Sequence, residues 1–238
     1  TPYANLSQRA VRRCQLNAIK AMLPVLDPPK LLPRAAEDVG NGYVLLPKRE
    51  PKARVVTNAE AAVLRQFIAR EGILASNEWV AQPVVSRWAR IRLPTGQVAR
   101  SLWIEEGTPL RRLRMSRNVK IIRGECVDFA EVHYYFKLRA SEDVHERVFA
   151  MADVYSAPDM DLLRESSNTL WSCTRQANDS GLQVIEITDI CTVVAMVPHP
   201  PILDQTLGDF TGRLFVVEKI GLDAMMLAGI EEEDDIEE

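Results

Sequence analysis

The stretch from Glu131 to Leu138 alternates in a way that suits a strand. Val132, Tyr134, Phe136 and Leu138 alternate with Glu131, His133, Tyr135 and Lys137. Successive side chains of a strand point to opposite faces, so the pattern predicts a sheet with one packed and one wet face. Residues 148–155 are more uniformly apolar and read as a central strand. Shorter strands are expected at 119–122, 170–174 and 214–217. Residues 182–197 are too long for one flat strand, which places a bend or bulge near Asp189. Pro94-Thr95-Gly96-Gln97 separates residues 84–93 from 98–104 and predicts a hairpin. Ser156-Ala157-Pro158-Asp159 and Asn178-Asp179-Ser180-Gly181 are turn sequences, and Met160 opens a single helical turn to Glu165. Seven or so short antiparallel strands suggest a small, strongly bent barrel or sandwich.

The first third reads differently. Ser7 can cap a helix over residues 8–22, in which Val11, Cys14, Ala18, Ile19 and Met22 recur at helical spacing. Pro24, Pro28, Pro29 and Pro33 then stiffen a connector. Gly40-Asn41-Gly42 marks a turn, and residues 43–46 form a short extended segment. Thr57-Asn58-Ala59-Glu60 is a capping box, followed by the apolar face Val63, Leu64, Phe67 and Ile68, with Gly72 placed to end the helix. This predicts a helix over 58–71. The expected fold class is therefore α+β: N-terminal helices, then a mainly antiparallel β barrel or sandwich. The expected division is a helical part with its Pro-rich connector (1–78), a β domain (79–225) and an acidic tail (226–238).

Charge is unevenly distributed. Residues 1–123 carry 22 Lys and Arg against 9 Asp and Glu, and residues 124–238 carry 7 against 24. Seven acids fall within residues 231–238, a run that predicts a solvated tail. Basic residues are densest from Arg87 to Arg123, with Arg100 among them and only Glu105 and Glu106 opposing. Arg87, Arg90, Arg92, Arg111, Arg112, Arg114, Arg117 and Lys120 are the candidate nucleic-acid contacts. Guanidinium forks suit phosphate. The competing reading is internal: the basic half docks on the acidic half, or the tail covers it.

Motifs for chemistry are sparse. No P-loop, GxGxxG, GxSxG or HExxH occurs. His133, His145 and His199 lack metal-ligand spacing, and no metal, cofactor or catalytic residue is assigned. His133 is expected as a solvated ring and His199 as a plain loop residue. Cys126, Cys173 and Cys191 are expected in the core; four widely spaced cysteines without CxxC suit a reducing, intracellular compartment. Asp153 sits in an apolar strand and is expected to pair with an arginine; with Asp128, Glu131, Asp159 and Asp161 it is also a candidate metal ligand. Tyr134, Tyr135, Phe149, Tyr155 and Trp171 read as core, or as a rim holding a cationic side chain. Trp79, Trp88 and Trp103 read as core, or as surfaces for stacking bases. No apolar run is long enough for a membrane helix, and no charged, apolar, cleavable leader opens the sequence.

Several ordered phrases resemble the C-terminal region of transposase-like proteins of basidiomycete fungal mobile elements, the Plavaka and CACTA-like group. They are residues 90–101 (RIRLPTGQVARS), 115–120 (MSRNVK), 130–136 (AEVHYYF), 153–159 (DVYSAPD), 192–198 (TVVAMVP) and 215–219 (FVVEK). The resemblance spans roughly residues 50–225. It implies an accessory module of a transposon-derived protein, a nuclear location and DNA or chromatin as partner. It carries no catalytic residue onto this sequence. The β pattern is also similar in outline to bromo-adjacent homology barrels, a fold-level analogy only.

Three functions are carried forward. The first is a non-catalytic DNA- or chromatin-binding module that meets phosphate backbone through the Arg87–Arg123 stretch. The second is a protein–protein interaction or oligomerisation module, binding a copy of itself or another chain. The third is a fragment of a metal-dependent nuclease or transposase using acids such as Asp128 and Asp153.

Overall fold

A computed structural model of the chain describes residues 32–56, 58–73, 76–105, 109, 116–138, 146–177, 180–199 and 212–218, and scattered positions before residue 24. Most of the expected helix over 8–22 and most of the Pro-rich connector lie outside the described residues. In chain order the elements are β1 (Glu37–Gly40), β2 (Tyr43–Leu45), β3 (Arg54–Val55), α1 (Asn58–Glu71), α2 (Asn77–Ala81), β4 (Val84–Val85), β5 (Arg90–Arg92), β6 (Val98–Arg100) and α3 (Leu102–Glu105). They continue with β7 (Asn118–Arg123), β8 (Cys126–Leu138), β9 (Arg147–Val154), α4 (Met160–Glu165), β10 (Trp171–Thr174), β11 (Leu182–Glu186), β12 (Ile190–Pro198) and β13 (Arg213–Glu218).

The fold is α+β, built mostly from antiparallel strands. Seven of them form a curled half-barrel sheet in the order β10-β13-β12-β7-β8-β9-β11. A four-stranded sheet, β1-β2-β5-β6, covers one face of the β7–β8–β9 region. Tyr43, Leu45, Ile91, Leu93 and Ala99 from the small sheet pack with Val119, Ile121, Ala130, Val132, Tyr135, Ala150 and Ala152 from the large one. The opposite face is covered by α1, whose Ala61, Leu64, Phe67 and Ile68 meet Tyr134, Phe136, Phe149 and Met151. Phe67 and Phe149 meet edge to face at 5.1 Å between ring centroids. Arg65 secures the helical layer by donating to the carbonyls of Val80 and Ala81, at the end of α2, where a cation suits the helix terminus.

This sandwich corrects the expectation of one wet face on residues 131–138. Tyr135 is fully buried, and both faces of β8 are covered. The reason is a bulge: the β8–β9 register shifts between Val132 and Tyr134, leaving His133 as the extra residue. An inserted residue inverts the facing of everything beyond it. Ala130, Val132 and Tyr135 therefore share one core, while Tyr134, Phe136 and Leu138 face the other.

Other expectations hold closely. The helix spans Asn58–Glu71, and Gly72 follows at φ +62°, the left-handed conformation that ends helices. Thr57 lies outside the described residues, and Glu60 accepts from Arg54 Nη2 at 2.9 Å and from the Tyr134 hydroxyl at 3.1 Å. The hairpin turns at residues 93–97, with Leu93 N donating to Gln97 O at 2.8 Å. The expected bend is a short 3-10 turn, Ile187–Asp189, which carries the chain from β11 beside β9 to β12 beside β7. The strand expected to run to residue 104 instead stops at Arg100, and α3 follows.

The curl of the large sheet brings its far edge back towards β8 and β9. Tyr155 N donates to Phe129 O, Ser156 N to Thr174 O and Asp159 N to Ser172 O, each at 2.9 Å. Phe129, Tyr155, Cys173, Val194 and Val216 fill the space inside the curl. Gly181 marks a tight approach: a Cβ there would lie 2.3 Å from Val154 O. Among the described residues, no helix is long and apolar enough to cross a membrane.

Candidate nucleic-acid interface

The structure divides the arginine-rich stretch into three groups. Arg111, Arg112 and Arg114 lie outside the described residues. Arg87, Arg117 and Lys120 hold carboxylates of the same chain. Arg87 makes a forked pair with Glu50, at 2.9 and 2.6 Å, and lies 4.5 Å from the centroid of the Trp103 ring. The pair holds the Glu50 carboxyl below its usual range, chiefly through the Arg87 hydrogen bond. Lys120 Nζ donates to Glu218 at 2.6 Å and sits over Trp171. Arg123 Nε bonds Asp189 at 3.1 Å.

Arg117 anchors the most buried ionic cluster. Its Nη1 donates to Glu105 at 2.6 Å and its Nε to Glu131 at 2.5 Å. Arg175 completes the cluster by donating to the second oxygen of Glu131 at 2.7 Å. Glu105 and Glu131 are 5% and 4% exposed, so each needs a cation to remain charged. Burial pushes the Glu131 pKa up, but the hydrogen bonds and charges of Arg175 and Arg117 outweigh it and leave it lowered. The turn of α3 is what delivers Glu105 to this cluster.

Arg90, Arg92 and Arg100 form the third group. In the β5–β6 hairpin Arg90 pairs directly with Arg100, and Arg92 with Val98. Leu45, Ile91 and Ala99 point into the core, so Arg90, Arg92 and Arg100 share the opposite face with Val44, Leu46 and Val98. All three arginines are half-buried, and each has an interaction partner; Arg90 Nη2 donates to the carbonyl of Pro47 at 2.9 Å. Like charges at directly paired positions repel, so the Arg90–Arg100 pairing is unfavourable unless an anion or another partner offsets it. Beside it Lys48 accepts the amide of Ala89 on its carbonyl and, at φ 112°, holds a conformation unusual for a side-chain-bearing residue. Lys48, Arg49 and Lys52 are exposed, although Arg49 also contacts Glu37 and the Trp88 ring. Sequence reasoning did not single out these three. The clue to Arg100 was the hairpin turn itself, which fixes residue 100 opposite residue 90.

The other candidates resolve as follows. Asp153 pairs with His133, not with an arginine: Nε2 and Oδ2 are 3.0 Å apart. His133 is correspondingly half-buried, not freely solvated. Burial pulls its pKa down, but the hydrogen bond and charge of Asp153, with Glu60 and Glu131, raise it overall. Cys173 is in the core with its thiol pushed up to about 12, while Cys126 is exposed at the end of the β7–β8 turn, against expectation. Tyr134, Tyr135, Phe149 and Tyr155 are buried core residues, and Trp171 packs on Phe129. Trp88 is likewise buried, while Trp79 and Trp103 pack at the edge of the helical core. Among the described residues, no group of three or more metal-ligating side chains comes together.

A second surface lies on the outside of the curl. Val197 pairs with Phe215 and Ala195 with Val217, with Leu170 one residue beyond the Trp171–Val216 pair. Val197 and Val217 are 46% and 48% exposed, and the His199 ring packs against Phe215. Comparison with family models, curated proteins and solved structures found no match for this chain.

Proposed function

We propose that the chain is a non-catalytic DNA- or chromatin-binding accessory module, of the kind the transposase-like resemblance implies, acting in the nucleus. The observation that supports this reading is the convergence of Arg90, Arg92 and Arg100 on one face of a small sheet. Forked cations at fixed spacing suit phosphate oxygens, and such contacts position a duplex without reading its sequence. The barrel-like curl is in keeping with the analogy to bromo-adjacent homology domains, which belongs to this proposal and not to the described fold.

The test is fluorescence anisotropy with a labelled random-sequence duplex across a salt series. Binding is expected to weaken steeply with salt, and changing Arg90, Arg92 and Arg100 together to Gln should lower the log–log slope by about 3. No duplex binding at about 50 mM salt, or unaltered binding by the triple variant, refutes the reading.

The apolar strip of Leu170, Ala195, Val197, Phe215 and Val217 favours a second reading, a protein-interaction or oligomerisation module. Analytical ultracentrifugation at two salt concentrations separates them. Association through this strip persists at high salt, whereas contacts through the arginine face do not.

A further inference from the structure

We propose that Lys48 and Lys52 are further phosphate contacts for a DNA duplex, carried on two outward bulges of the segment that follows β2. This inference rests on the nucleic-acid reading given above and adds a second basic element to it.

The segment from Leu45 to Val55 runs antiparallel to residues 84–91 but is longer than its partner. Leu45 pairs with Ile91 and Arg49 with Trp88, so Leu46, Pro47 and Lys48 face only Ala89 and Arg90. Leu46 N donates to Arg90 O at 3.1 Å and Ala89 N to Lys48 O at 3.0 Å, which closes the ladder on either side of the extra residue. Further on, Glu50 N donates to Arg87 O at 2.8 Å and Arg54 pairs with Val85. Pro51, Lys52 and Ala53 therefore face Ser86 alone. Both lysines are exposed.

Between the two bulges the segment is pinned. Glu50 holds the Arg87 fork, and the Arg49 guanidinium lies 5.4 Å from the centroid of the Trp88 ring. Pro51 fixes its own φ. The lysines thus stand out from a fixed backbone. At Lys48 that backbone is also strained: φ is 112°, a region that glycine occupies at little cost and lysine does not. Folding alone would favour glycine there. Strain retained at a bulge is a mark of a residue kept for contact with something else.

Charge separates these two lysines from their neighbours. Arg49 contacts Glu37, Arg54 contacts Glu60, and Arg87 contacts Glu50. No side-chain hydrogen bond or ion pair of Lys48 or Lys52 occurs among the described residues. The first bulge also adjoins the arginine face, because Arg90 Nη2 donates to the Pro47 carbonyl at 2.9 Å. Contact through the lysines does not require Arg90, Arg92 or Arg100 to give up a partner. An ammonium group on a flexible stem is a point charge that meets phosphate from many directions, which suits a contact that positions a duplex without reading it.

The experiment measures anisotropy of a labelled random-sequence duplex across a salt series, and urea unfolding, for the natural chain and three variants. Lys48→Gln with Lys52→Gln is expected to weaken binding and lower the log–log salt slope by about 2. Lys48→Arg with Lys52→Arg keeps both charges and should restore the natural slope. Lys48→Gly should lower the slope by about 1 while leaving the urea midpoint unchanged or higher, because it relieves the strained backbone.

An unaltered slope in the double glutamine variant overturns the inference, as does an arginine variant that binds no better than the glutamine one. A fall in the urea midpoint of Lys48→Gly overturns it too, since the lysine would then be serving the fold. The two readings fail separately. If the duplex binds and responds to the Arg90, Arg92 and Arg100 changes but not to the lysine changes, the nucleic-acid reading stands and this contact falls. If the natural chain binds no duplex, the nucleic-acid reading falls and takes this contact with it.

Discussion

Arg117 and Arg90 come from the same basic stretch, yet they serve opposite ends. Arg117 lies between two buried carboxylates and links α3 to β8. Arg90 stands opposite Arg100 on the outer face of a hairpin. The difference comes from partners delivered by the fold. The short turn of α3 brings Glu105 to Arg117, and β8 brings Glu131, while the strand paired with Arg90 supplies another arginine. Density of positive charge along a chain therefore does not by itself bring arginines to one face; cross-strand register does.

The contrast can be broken by mutation. Arg117→Met should have the largest effect on folding, because it leaves Glu105 and Glu131 buried with too few cations. A loss of about 3–5 kcal/mol in urea unfolding is expected. A loss below about 1 kcal/mol would place Arg117 with the surface arginines. Arg90→Gln removes a bond to the Pro47 carbonyl and relieves repulsion from Arg100, so it should cost less than Arg117→Met, about 1 kcal/mol. Its effect belongs in duplex binding, measured by anisotropy.

The smallest effect concerns His133. Its folded pKa is raised, so the stabilisation from Asp153 is fully present below the unfolded value, about 6.5, and is lost as pH rises through the folded value. His133→Gln should therefore cost about 1 kcal/mol near pH 5.5 and progressively less towards pH 8. Urea midpoints at several pH values check this. A penalty that grows with pH would show that the pair does not control the titration.

Much of the fold was legible in the sequence because its signals are local. The helix over Asn58–Glu71 followed from its apolar spacing and Gly72, and the break near Asp189 from the length of the run. The two-sided burial of β8 was not legible. A tyrosine counts as polar or apolar depending on what covers it, and the bulge at His133 inverts the pattern midway. The site was half legible: residues 90 and 92 share a face by strand spacing alone. Assigning Arg87, Arg117 and Lys120 to internal pairs required knowing where Glu50, Glu105, Glu131 and Glu218 fall in space, which no local pattern encodes.

The position of β13 has a consequence for how the molecule must be made. It lies between β12 and β10, although it follows both in the chain. Until residues 213–218 leave the ribosome, β10 and β12 each present an unpaired edge, and the cavity around Phe129 and Tyr155 lacks one wall. Nascent chains are therefore most open to edge-to-edge association late in synthesis. Any shortened version intended for expression must retain β13.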